Sequence, residues 1–228
     1  MWANQHTRGF VLFWLFVIMV LAGAALVGAA HANPHPSPLP QAGEGINVPR
    51  AALKHRAELT RAAHASWGLN APIPVFAAQI QQESAWNTAA LSHVGAQGMA
   101  QFMPATAVWW CGLNGLTPAE CQPNNPQWAL RALVGYDKWL YDRVWGDSEY
   151  DRMHAALRAY NGGLGHWHRE AKIAASRKRD LIDAACGKAR RHVYHCRENL
   201  NYPRRILAIY QPRYFGWGRG IMMSGGAA

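Results

Sequence analysis

Between residues 72 and 106 the sequence places one carboxyl where its proton could be put to use. Phe76, Ile80 and Glu83 recur at i, i+4 and i+7, the spacing of a single helical face. At about 100° per residue Glu83 falls between Phe76 and Ile80 on the helical wheel, while Gln81 and Gln82 project elsewhere. Burial beside apolar groups disfavours a charged carboxyl, so one placed there can hold its proton near neutral pH, as a general acid must. The same spacing also suits a stripe-edge Glu that swings into solvent. Spacing alone does not choose between the two.

The elements around Glu83 narrow the choice. Pro72 and Pro74 mark a helix entrance, because proline is tolerated in a first turn and disfavoured deeper in. After that helix, Gly95, Gly98 and Met103-Pro104-Ala105-Thr106 form a small-residue turn running into a second helix. Glu83-Ser84, Gly98-Met99-Ala100-Gln101 and Ala159-Tyr160-Asn161-Gly162-Gly163 follow in order. Together they resemble the soluble lytic transglycosylase family over roughly residues 66–210. The usual second motif is Gly-Leu-Met-Gln, so Met99 and Ala100 depart from it. Glu198-Asn199-Leu200-Asn201-Tyr202 is similar to the family's last motif, Glu-Thr ahead of a Tyr, with Asn199 in place of Thr and Pro203 following. The resemblance implies a mainly α fold, a single goose-type lysozyme-like helical domain, acting on the glycan strand of peptidoglycan.

The rest of the chain divides around that domain. Residues 1–32 read as a signal peptide or membrane anchor: Phe10–Ala30 is uncharged and apolar, and Ala30-His31-Ala32 has the small-x-small form of a cleavage site. Cleavage after Ala32 is expected; either way the domain is exported, to the periplasm or cell envelope. Residues 33–49, with five prolines and two glycines, read as a tether. The catalytic domain is expected over 50–215, opening with an amphipathic helix from Arg50, and 216–228 as a loose tail. Within it, Asn125-Pro126 starts a helix on which Leu130, Leu133, Asp137, Leu140 and Val144 share a face. Asp137 reads as a partner for Arg131 or a solvated edge, or else as a second buried acid. Met153, Ala156, Leu157 and Tyr160 mark another helix, with a left-handed cap expected at Gly162-Gly163. Residues 164–200 form a basic stretch longer than the family's usual connection. Ile206, Leu207 and Ile209 are expected to bury the closing helix.

Four cysteines in an exported chain suggest two disulfides. The local pairs Cys111–Cys121 and Cys186–Cys196 are expected, although four cysteines allow three connectivities. The rival is a metal site from Cys186, His192, His195 and Cys196, whose spacing matches no standard zinc pattern; no metal or cofactor is expected. The formal charge of +10 fits attraction to an anionic polymer or a merely solvated basic surface, the latter being the default for any individual Lys or Arg. An export signal and the lack of any nucleic-acid motif argue against nucleic acid. Most of the eleven Trp read as core, with Trp86 and Trp167 as candidates to stack on sugar rings.

Glycosidases ordinarily use two carboxylates, yet no Asp or Glu lies between Glu83 and Glu120. Goose-type hydrolases place a helper Asp in that interval, so the resemblance favours the single-acid route. It implies Glu83 as acid and then base, closing a 1,6-anhydro ring on the sugar. Ser84, Gln101, Tyr160 and Asn161 are implied to contact the glycan or orient the acid, with Tyr202 near Glu83. A hydrolytic muramidase borrowing an acid such as Asp137 stays open. So does a non-catalytic glycan-binding component of an envelope-spanning secretion, conjugation or phage apparatus. A monomer is expected.

Overall fold

The computed structural model describes residues 48–223; the expected signal, the tether up to residue 47 and the last five residues lie outside the described residues. The described chain is helical, with only isolated bridges Leu91–Gln97 and Gln97–Phe102 of extended type. None of its helices is long and apolar enough to cross a membrane. The expected first helix is two: α1 (Arg50–Leu53) and α2 (Arg56–Trp67).

The central element is α3 (Ile73–Ser84), whose first eight residues are all buried. Pro72 and Pro74 start it, since neither need donate in a first turn. Phe76 and Ile80 are fully buried, at about 1.5–3 kcal/mol each. The helix stops where Ala85 and Trp86 both take positive φ, 51° and 68°, so Glu83 sits in the last turn, where the chain swings away.

After α3 come α4 (Pro104–Leu113), α5 (Pro126–Tyr141), α6 (Glu149–Gly162), α7 (Leu164–Ala174), α8 (Arg179–Ala184) and α9 (Cys196–Arg204). Helix α5 starts as its sequence demands: Asn125 Oδ1 accepts from the amides of Gln127 and Trp128, and Pro126 takes the first position. It packs on α2, where Trp67 Nε1 donates to Val134 O at 2.9 Å. Helix α6 packs against α5, α7 and α9. It ends at Gly163, whose φ of 86° suits glycine as expected but whose ψ of 130° lies outside the left-handed cap, and α7 begins at once. Residues 164–200 thus form two helices, a short 3-10 turn and the start of α9, not a mere connection.

Helix α9 contains Pro203, which removes one amide donor; the chain then widens into a π turn over Arg205–Tyr210 and tightens into a 3-10 segment, Gln211–Trp217. That segment lies along α3. Two expectations fail here. Ile209 is half exposed while Ile206 and Leu207 are buried, because the wider turn rotates it off the apolar face. Residues 216–223 are not a loose tail. Ile221 is buried, and Gln211 clamps its backbone, Nε2 donating to the carbonyl at 2.8 Å and Oε1 accepting from the amide at 2.7 Å.

Candidate active site

Glu83 projects from the C-terminal turn of α3, partly exposed at the end of the Phe76–Ile80 stripe. The buried Tyr202 of α9 donates its hydroxyl to Glu83 Oε1. Burial pushes the Glu83 carboxyl up from its ordinary 4.5 to about 8; the Tyr202 bond works against this, and the nearby Glu198 carboxyl adds to it. An acid at a helix C-terminus also faces the carbonyl end of the dipole. Glu83 therefore keeps its proton at neutral pH, with Oε2 left over to carry it.

The loop between α3 and α4 is pinned beside this carboxyl. Ser84 Oγ donates to Met99 O at 2.9 Å, and Tyr160 Oη of α6 donates to Ala100 O at 2.7 Å. Gln101 Nε2 donates to Gly98 O at 2.8 Å from a backbone with φ 48°. Gly98 is required on two counts. Its φ is +70°, and a Cβ there would stand 1.9 Å from Pro123 O. Met99 and Ala100, the two departures from the family motif, are buried, so their side chains serve the core.

Helix α9 is held by a buried charge network. Arg158 of α6 is fully buried and binds Glu170 of α7, Asp183 of α8 at 2.8 Å and Asn199 Oδ1 at 3.1 Å. Arg191 closes on Glu170 at 2.7 Å. Asn199, standing where the motif has Thr, donates Nδ2 to Arg158 O at 2.9 Å and to Asn161 Oδ1 at 3.0 Å. That contact ties the Ala-Tyr-Asn motif to the Tyr202 helix. Gly162 makes room for it, since a Cβ there would meet Arg191 Nη1 at 2.3 Å and Asn199 Nδ2 at 2.4 Å. Arg191 is thus no solvated surface charge. The bridge Cys186–Cys196 anchors the first residue of α9, and Cys111–Cys121 fastens α4 to the following loop. The pairing takes the sulfurs of Cys186 and Cys196 from any metal site with His192 and His195.

Sequence reasoning therefore finds Glu83, Ser84, Gln101, Tyr160, Asn161 and Tyr202 on elements that meet around one carboxyl. Two readings are corrected. Asp137 is neither a partner for Arg131 nor a solvated edge but the buried acid of the alternatives, accepting from Gln79 Nε2 at 3.3 Å, while Arg131 bonds Gln127 O. Trp86 and Trp167 are both buried, Trp86 Nε1 donating to Tyr214 Oη at 2.9 Å, so neither presents a face to a sugar. Glu198, half-buried beside Asn161, acts on Glu83 across 115 residues of sequence, a proximity no local pattern reveals.

The transglycosylase SLT domain model matches residues 61–182, more than half of the chain. No curated protein matches it significantly. Among solved structures, an inactive Glu-to-Gln mutant of the lytic transglycosylase Slt from Pseudomonas aeruginosa superposes with a TM-score of 0.56 at 24% identity, over 73% of this chain and 25% of that one. The 70-kDa soluble lytic transglycosylase SLT70 from Escherichia coli gives 0.56 at 22%, over 72% and 24%. A complex of the 70-kDa soluble lytic transglycosylase with bulgecin A gives 0.57 at 23%, over 75% and 26%. The likeness is one of fold, the lysozyme-like helical domain, and the chain spans about a quarter of the length of these relatives. On its own sequence and fold, the chain belongs to the transglycosylase SLT domain family.

Proposed function

We propose that the chain is a peptidoglycan lytic transglycosylase in which Glu83 serves as acid and then as base. The observation that carries this reading is a single partly exposed carboxyl, held protonated by burial and bonded on one oxygen by Tyr202. In the first step Glu83 Oε2 gives its proton to the oxygen of the MurNAc–GlcNAc bond as that bond breaks. The sugar's own N-acetyl carbonyl closes on C1 and takes up the positive charge. Glu83, now a carboxylate stabilised by the Tyr202 hydroxyl, removes the proton of the C6 hydroxyl as O6 attacks C1 and the bond from C1 to the N-acetyl oxygen breaks, restoring the neutral N-acetyl group. The product is a 1,6-anhydro ring, and Glu83 regains its proton. Tyr202 holds Oε1, so the proton exchanges at the oxygen that faces substrate.

Ser84 acts through the loop rather than on the sugar, because its hydroxyl is committed to Met99 O. Tyr160 does the same at Ala100, and Asn161 holds Asn199 and Glu198, while Gln101 keeps an oxygen that can meet glycan hydroxyls or the N-acetyl group. Export to the periplasm, action as a monomer and recruitment to an envelope-spanning apparatus belong to the same reading and rest on the sequence alone.

Glu198 favours one second reading, a hydrolytic muramidase in which it activates water. Burial raises the Glu198 carboxyl, with the Asn161 side chain bonding against that shift. A carboxyl pushed toward its neutral form is a poorer standing base, so transglycosylation remains the better account. Mass spectrometry of digested peptidoglycan tests it: anhydro-ended muropeptides support lytic transglycosylation, and reducing ends alone support hydrolysis.

A further inference from the structure

One buried carboxyl has no part in that chemistry. Asp137 lies on α5, fully buried, with Oδ1 accepting from Gln79 Nε2 at 3.3 Å. Gln79 is also fully buried and stands four residues before Glu83, one turn up the same face of α3. Asp137 Oδ2 and Gln79 Oε1 have no hydrogen-bond partner. As a carboxylate beside an amide, the pair would leave two acceptors buried without a donor, each at its full desolvation cost. One proton on Oδ2 supplies the missing donor. The side chains then form a ring of two bonds, Nε2–H to Oδ1 and Oδ2–H to Oε1.

We propose that Asp137 is a positioning residue for Glu83: it keeps its own proton, closes this acid–amide ring with Gln79, and so fixes the last turns of α3 without placing a second negative charge beneath the catalytic acid. The proposal rests on the reading of Glu83 as acid and base. It explains why a charge-bearing residue type is tolerated on a face of leucines. The neutral acid bonds as an amide would.

The groups around Asp137 agree with a neutral form. Gln79 and Glu83 face it from α3 and Tyr136 from its own helix, and its field reaches Tyr160 on α6 and Tyr202 on α9; none of these is a cation. Burial raises its carboxyl well above the usual range, the Gln79 bond opposes this, and the Glu83 charge adds to it. When Glu83 loses its proton in the first step, its new charge drives Asp137 further toward the neutral state. The ring therefore holds through the catalytic cycle.

Two measurements on the full chain test this. Isotope-edited infrared difference spectra of wild type against Asp137→Asn isolate the Asp137 carboxyl, and an acid carbonyl band at pH 7 is expected. A carboxylate band there overturns the proposal. This arm needs no substrate, so it stands even where no peptidoglycan activity is found, and its failure leaves the proposed reaction intact. For kinetics, Asp137→Leu strands the Gln79 amide and is expected to lower kcat by about tenfold or more with little change in KM, as misplacement of a reacting group does. Asp137→Asn preserves a two-bond ring and rescues kcat to within about threefold, with the alkaline limb of the pH profile where wild type has it. A limb moved to lower pH in Asp137→Asn shows that Asp137 is charged in wild type and overturns the proposal, as does wild-type kcat in Asp137→Leu. If Asp137→Leu does not fold, the infrared band and the Asp137→Asn profile decide.

Discussion

Replacing Glu83 by Gln separates the chemistry of this residue from its cost to the fold. The folded carboxyl titrates near pH 8 against an ordinary 4.5. Folded protein thus binds one more proton than unfolded chain between those values, and stability falls as pH rises through that window. From pH 4.5 to pH 7 the interval is 2.5 units at about 1.4 kcal/mol each, or about 3 kcal/mol. Partial exposure of Glu83 lowers the figure toward about 2 kcal/mol. Glu83→Gln is neutral in both states and still accepts from Tyr202, so it lacks this slope. Urea unfolding of both proteins at pH 4.5 and pH 7 is the assay. The variant's stability relative to wild type should improve by about 2–3 kcal/mol between the two pH values, while peptidoglycan turnover drops by at least about 10²–10⁴-fold. Comparing the two proteins cancels Asp183, a raised carboxyl with no coupling to Glu83, and leaves of Asp137 and Glu198 only the part that the Glu83 charge itself causes. A pH-independent difference would refute the raised carboxyl, and turnover within about tenfold of wild type would refute its role.

Tyr202→Phe removes a bond that lowers the Glu83 value, so the alkaline limb of the pH–rate profile should move above about 8 as kcat falls; a downward move would contradict the assignment. Gly98→Ala must fit a methyl 1.9 Å from Pro123 O at φ +70°, and thermal unfolding should show a loss of about 2 kcal/mol or more. Replacing both Cys186 and Cys196 by Ser opens a bridge between residues ten apart, which should cost about 2–3 kcal/mol in denaturant. Activity should fall more steeply than stability at assay temperature, because the bridge anchors the helix that carries Tyr202.

Much of the architecture is legible in the sequence because it rests on local rules. Pro72, Pro74 and Asn125-Pro126 mark helix starts by backbone geometry alone, and the Phe76–Ile80–Glu83 spacing puts Glu83 in register with the buried stripe of α3. What stays hidden depends on residues that meet only in three dimensions. Asp137 shares a face with leucines, and nothing in its helix reveals that Gln79 waits across the interface. Arg158 and Arg191 read as ordinary basic residues; their burial follows from Glu170 and Asp183, which two later helices deliver. Trp86 lies three residues after Glu83 and suggests a sugar platform, yet the positive φ at Ala85 and Trp86 turns it inward to Tyr214. Residues 216–228 read as a tail, yet the side chain of Gln211 pins Ile221 from ten residues away. Glu198 shows the same limit within the site, since it reaches Glu83 only because α9 packs on α6 and touches α3 through Tyr202.

The central claim is that one carboxyl both breaks the glycan strand and closes the ring on the sugar left behind. Digestion of purified peptidoglycan with the purified protein, followed by mass spectrometry of the muropeptide ends, tests it most directly. The account predicts 1,6-anhydro-MurNAc ends in wild type and none with Glu83→Gln. Reducing ends in place of anhydro ends, or anhydro ends that persist in Glu83→Gln, would contradict it.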